Sequence, residues 1–164
     1  HMQIAIALEV EGMPSFRKYG GYSVFSEGWA LYSETLPKEI GLYKDPYSDF
    51  GRLSGELWRA CRLVVDTGIH HYRWTREEGI DYYMNNTANP EGDCVGMVER
   101  HIVWPGQAVS YKIGMLEIQK LRAHAEETLG DKFSLQGFHD VVLKNGGVSM
   151  DILQDIVHEW IENQ

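Results

Sequence analysis

The sequence predicts an all-α protein, and three observations carry that expectation. Apolar residues recur every three or four positions through most of its 164 residues, which is the spacing of one helix face. No stretch alternates apolar and polar residues over strand length, as a half-buried strand would. Cap residues and Pro/Gly punctuation bracket the periodic stretches. About seven or eight helices in a single domain follow, with no internal repeat, low-complexity tract or linker to mark a boundary.

Each expected helix has its own start and stop residues. Ile4, Ala5 and Leu8 read as a short first helix stopped at Gly12-Met13-Pro14. Gly20-Gly21 precedes a second, over about 22–38, in which Phe25, Trp29, Tyr32 and Leu36 recur and Pro37 softens the end. Asp45-Pro46, a cap followed by proline at the first helical position, opens a longer third helix. It carries Leu53, Leu57, Ala60, Val64 and Thr67 down one side and weakens at Gly68, near His71. Thr75-Arg76-Glu77-Glu78 is a capping box, because Thr and Glu three apart satisfy each other's backbone donors; its helix runs to about Asn86. Asn89-Pro90 breaks the chain before a helix over about 91–103. Pro105-Gly106 interrupts again, and a long helix runs from about Gln107 to Leu129, ending at Gly130. Ser134 and Ser149 are N-caps for two last helices, the first stopped by Gly146-Gly147.

Composition narrows the function classes. With 15 Lys+Arg against 24 Asp+Glu, a net charge of −9 and a mean hydropathy of −0.34, the chain has material for a core but no clustered basic face. Nucleic-acid backbone binding by counterion release is therefore not expected. No apolar run approaches the roughly 20 residues that span a bilayer, and the N-terminus lacks the basic-then-apolar order of a signal peptide. Cys61 and Cys94 are too few for a disulfide scaffold and are not spaced as a metal knuckle, so both are expected as buried thiols. The start His1-Met2 looks like a cloning remnant ahead of an expressed segment, which suggests a piece of something longer.

Three constellations could carry chemistry. In Phe25-Ser26-Glu27-Gly28-Trp29-Ala30-Leu31-Tyr32-Ser33-Glu34, helical spacing puts Glu27, Leu31 and Glu34 on one side. That is either a solvated acidic face or, given the large apolar neighbours, a carboxylate that must be paired, hydrogen-bonded or metal-bound. Arg62, Asp66 and His70, four and four apart, form a stripe that is either a row of surface ion pairs or a site. As a site, Asp66 would orient His70, and Arg62 would present a planar fork to a substrate carboxylate or to Glu27. His71 points away from that stripe. After Pro105-Gly106, Gln107, Tyr111 and Gly114 share a face. A mid-helix glycine costs about 1 kcal/mol relative to Ala, so something packs closely there. Tyr111 is either a core tyrosine or a donor to a developing oxyanion. His124, His139 and His158 have no spaced partner and read as structural or solvated.

The runs GGYSVFSEGWALYSE, YSDFGRLSGELWRACRLVVDTGIHHYRWT and VWPGQAVSYKIGMLEIQKLR closely resemble the C-terminal part of the bacterial proteins filed as domain of unknown function 885. Those are regarded as relatives of zinc peptidases of the angiotensin-converting-enzyme and thimet-oligopeptidase type. The likeness spans Gln3 to about Trp160 and implies the C-terminal part of a larger helical metallopeptidase-like fold. In that family a His-Glu-x-x-Pro-Gly-His-His-x-Gln segment lies just before the corresponding region, with its histidines as zinc ligands and its glutamate as general base. Here His1 either coincides with its last histidine or is a cloning remnant. Glu27 matches the third zinc ligand, and His70 and Tyr111 match transition-state donors, with His101 a rival for the histidine role. Arg62 and Gln107 are then candidates to hold substrate, and Asp66 and Glu34 to support the site.

The His-Glu motif itself is missing from the 164 residues. The expectation is therefore the C-terminal portion of a zinc-dependent, peptidase-like hydrolase, inactive alone. Its partners would be a peptide or small-molecule substrate and the N-terminal portion of the same protein. A non-catalytic helical module holding a peptide or small acid is the alternative, and a purely structural helical domain is a third.

Overall fold

A computed structural model describes residues 1–164 and is helical throughout, without strands. The helices are α1 (Met2–Glu9), α2 (Ser15–Tyr19), α3 (Ser23–Ser33), α4 (Leu36–Glu39), α5 (Pro46–His70), α6 (Arg76–Asn86), α7 (Glu91–Val103), α8 (Ser110–Leu129), α9 (Leu135–Leu143) and α10 (Met150–Glu162), with a 3-10 turn at Gly130–Lys132. Eight of these correspond to the expected helices; α2 and α4 are short additions. No helix is long and apolar enough to cross a membrane.

Local signals acted where they were read. Asp45 accepts from the Ser48 N–H at 2.9 Å, with Pro46 at the first helical position of α5. Thr75 and Glu78 form the reciprocal capping box of α6. Ser134 caps α9 through the Gly137 N–H, whereas Ser149 occupies the cap position of α10 without a side-chain bond. Two boundaries moved. The helix expected over 22–38 stops at Ser33, and α8 begins at Ser110 rather than Gln107.

The chain divides into two compact units, residues 1–32 with 113–164, and residues 33–112. In the first, α9 and α10 bury Phe138, Val142, Leu153 and Val157, and α8 buries Met115, Ile118 and Ala125. Here α3 and α8 meet through glycine: a Cβ on Gly28 would lie 2.5 Å from the Gly114 Cα, and one on Gly114 would overlap the Val24 carbonyl oxygen. The close packing expected of a mid-helix Gly114 is thus present, backbone against backbone.

In the second unit, α5, α6 and α7 enclose Trp58, Cys61, Val65, Ile80, Tyr83, Cys94 and Val98, with the Trp58 and Tyr83 rings 4.5 Å apart. Both cysteines are free and buried, and burial raises both thiols above the usual range. The inward face of α5 differs from the apolar stripe of the sequence. Leu53, Leu57 and Val64 are exposed (48, 47 and 39%), while Arg62 and Asp66 are buried. The inward face of α5 therefore combines Trp58, Cys61 and Val65 with the charged Arg62 and Asp66, while Leu53, Leu57 and Val64 are left outside.

Candidate functional site

The polar interior of the second unit is built on the i, i+4 stripe of α5. Arg62 and, one turn on, Asp66 are buried, while His70 reaches the exposed end of the helix. They are not a row of ion pairs. Asp66 holds the Gly106 N–H with both carboxylate oxygens, each at 3.2 Å. Gly106 has φ +79, a left-handed turn that suits glycine, so Asp66 anchors the Pro105-Gly106 corner leading into α8. Burial raises the Asp66 carboxyl above the usual range, opposed by the Gly106 N–H and by His70 nearby.

His70 is positioned differently from the sequence expectation. Its Nε2 donates to the carbonyl of His101 at 2.8 Å. A carbonyl only accepts, so Nε2 carries the hydrogen, and Nδ1 is left as an acceptor when the ring is neutral and as a donor when it is protonated. His101 is itself almost fully buried, and its Nε2 is hydrogen-bonded to the Tyr83 hydroxyl at 2.8 Å. Burial first, then the Arg62, Arg100 and His70 charges, lowers the His101 imidazole to about 4. Tyr83, also buried, is held well above the usual phenol range. His101 is thus an uncharged structural partner whose backbone, not its ring, serves His70. Its burial on α7 had no signature in sequence spacing.

Tyr111, at the start of α8, has its ring under the Arg62 guanidinium at 4.7 Å, within cation–π range. Its hydroxyl accepts from Gln107 Nε2 at 3.2 Å, so its own O–H remains to donate elsewhere. Gln107, in the turn before α8, and Tyr111 meet as the sequence expected. Burial draws the Arg62 guanidinium below its ordinary value, against the opposing effect of Tyr111. The Nε atoms of Arg62 and of Arg59 are buried without a hydrogen-bond partner.

The first unit carries His1 and Glu27. Glu27 is half-buried on α3, and His1 is exposed at the N-cap of α1. Gln3 Nε2 donates to the Ser26 carbonyl at 3.1 Å, which ties the first turn of α1 to the turn of α3 bearing Glu27. Glu34 lies in the turn just past the end of α3, and its carbonyl accepts from the Tyr43 hydroxyl at 3.2 Å. His139 is half-buried with its Nε2 2.8 Å from the Tyr32 hydroxyl, and the His124 and His158 rings lie 5.3 Å apart. A pocket of about 620 Å³ between Arg17, Tyr22, Asn145, Val148 and Ile152 contains none of the expected site residues. No group of three or more His, Cys, Asp or Glu side chains is arranged to hold a metal ion.

Residues 1–157 match the family described as bacterial protein of unknown function, DUF885. Among solved structures, a candidate lipoprotein from Colwellia psychrerythraea is 51% identical with a TM-score of 0.97; the match covers 100% of this chain and 28% of that one. A second, a candidate lipoprotein of unknown function from Shewanella oneidensis, has a TM-score of 0.88 at 23% identity over 96% of this chain and 29% of its own, and supports the fold alone. The chain thus spans less than a third of the length of either neighbour. No curated protein matches it.

Proposed function

The chain belongs to the DUF885 family of bacterial proteins of unknown function, and for the site it carries we propose zinc-dependent, peptidase-like hydrolysis of peptide bonds, akin to zinc peptidases of the angiotensin-converting-enzyme and thimet-oligopeptidase type. The observation that carries this reading is Tyr111. Its oxygen is already engaged by Gln107, its ring is fixed under Arg62, and its O–H is left to meet an oxygen that gains charge, as a peptide carbonyl does in its tetrahedral intermediate. A protonated His70, held by the His101 carbonyl, adds a second donor at Nδ1; neutral, the same atom accepts a proton.

His1 and Glu27 would hold the metal, one imidazole and one carboxylate being donors zinc accepts; the Gln3–Ser26 hydrogen bond supports their proximity. Bound there, zinc supplies polarisation of the scissile carbonyl and activation of water. The donor set within the 164 residues is incomplete, so the reading needs a further ligand and a general base from outside them. On this reading Arg62 and Gln107 contact substrate, Asp66 supports the site by fixing the turn before Tyr111, and Glu34 serves from the turn after α3. The 164 residues alone would not hydrolyse peptides.

In the intact protein, Glu27→Ala should abolish both stoichiometric zinc, measured by metal analysis, and peptide hydrolysis while leaving the circular dichroism unchanged. Full activity in that variant ends the proposal. The second reading is a helical module that holds a peptide or small acid without cleaving it. Zinc-free intact protein with saturable peptide affinity would select that reading.

A further inference from the structure

We propose that Arg59 and Arg62 form a receptor for a carboxylate group; on the hydrolase reading, on which this assignment of substrate rests, that group is the free C-terminus of a peptide.

The two guanidiniums stand three residues apart on α5, on one side of the helix. Arg62 is 9% exposed, and its Nε meets no acceptor. Arg59 reaches only back to the carbonyl of Gly55, at 3.0 Å, and its Nε is likewise buried and unmatched. Neither makes an ion pair, yet acids in the same unit pair readily with other cations. Arg52 bridges Asp49 and Glu56, Lys112 joins Glu56 at 2.6 Å, and Arg76 takes Glu99. The acid best placed by sequence to neutralise Arg62 is Asp66, one turn on, and it turns both oxygens to the Gly106 N–H instead.

A guanidinium withdrawn from water without a counter-charge is costly, and a fold retains it where something else supplies the anion. The planar fork of Arg matches the two oxygens of a carboxylate. Arg62 cannot swing freely, because Tyr111 stacks beneath it at 4.7 Å. That contact also sets the distance to the chemistry. A carboxylate on the Arg62 fork lies one or two residues along an extended peptide, at about 3.3–3.6 Å per residue, from a carbonyl facing the Tyr111 hydroxyl. The substrate class is therefore short peptides or peptide ends with a free C-terminus.

The test is equilibrium binding to the intact protein of N-acetylalanine and of its amide, which differ only in the charge. The acid should bind saturably and at least ~10-fold more tightly than the amide, as a charge-assisted hydrogen bond implies. That preference should vanish in Arg62→Met and weaken in Arg59→Met, and Arg62→Lys, which keeps the charge and loses the fork, should fall between. Arg62→Met should melt at or above the parent temperature, because an uncompensated buried charge has gone. Equal binding of acid and amide overturns the proposal, as does a preference kept in Arg62→Met or tighter binding of inorganic phosphate than of the acid. A clearly lower melting temperature in Arg62→Met with unchanged acid binding marks Arg62 as structural, and also overturns it. Neither zinc nor turnover enters this readout. Failure of the Glu27 experiment alongside a clear acid preference removes the hydrolase and leaves the receptor. Where hydrolysis is present, free and amidated peptides should show the same ratio in kcat/KM.

Discussion

Two helix contacts in this molecule are built in opposite ways. Where α3 meets α8, Gly28 and Gly114 let the backbones touch, with Phe25, Trp29 and Met115 buried around them, and farther along Arg122 donates to the Tyr32 hydroxyl at 3.2 Å. In the second unit, α5 turns Arg62 and Asp66 inward and leaves Leu53 and Leu57 in water. The first arrangement maximises contact and gains from it directly. The second leaves a buried cation without an anion and an aspartate held above its usual range, neither of which a helix needs for its own stability. The difference teaches where to look for function: polar groups kept inside at a cost are better candidates than well-packed ones.

The α3–α8 contact is most sensitive at Gly114. Gly114→Ala puts a methyl group into the Val24 carbonyl, a backbone neighbour that cannot rotate away. A loss of ~3 kcal/mol or more in urea unfolding is expected, at the upper end of overpacking effects. A loss below ~1 kcal/mol would show that α3 and α8 part easily and that the glycine contact does not hold them.

The polar interior should instead reveal itself through pH. His101 drops from 6.5 in the unfolded chain to about 4 in the fold. Between those values the unfolded state binds more protons, so stability is complete above about 6.5 and is lost as pH falls, by ~3 kcal/mol in all. Thermal melts from pH 7 to 4 should follow this slope, and His101→Gln should flatten it. A slope of equal size in that variant would place the titrating group elsewhere.

Thr75→Ala, which removes the reciprocal cap of α6 and touches neither contact, calibrates both at ~1 kcal/mol. Asp66→Asn should move stability least, within ~0.5 kcal/mol and upward. The amide keeps an acceptor for the Gly106 N–H, and an aspartate whose folded value is raised opposes folding once ionised at neutral pH. The same change removes the charge beside His70, so on the hydrolase reading turnover should fall while the melting temperature does not.

Much of this was legible in the residues. The all-α class, the caps at Asp45, Thr75 and Ser134, and the close approach at Gly114 all follow from local spacing and turn chemistry, as does the meeting of Gln107 with Tyr111. The α5 stripe was legible as a geometric row but not as an interior one. Glu34 falls in the turn just after Ser33, where α3 stops short of the expected helix end. His101 entered only as a rival to His70, and spacing could not show that its carbonyl, 31 residues along the chain, holds the His70 ring.

From local residues alone came the all-α class and the capped helix starts at Asp45, Thr75 and Ser134, because capping and backbone preference act within four residues. Which side of α5 faces inward, and which acids answer which bases, was decided by the tertiary structure. Burial and charge pairing depend on partners far apart in the chain. An amphipathic pattern ranks the faces of a helix by hydropathy alone, and here the packing of α5 with α6 and α7 took in Arg62 and Asp66 beside Trp58, Cys61 and Val65 and left Leu53 and Leu57 outside.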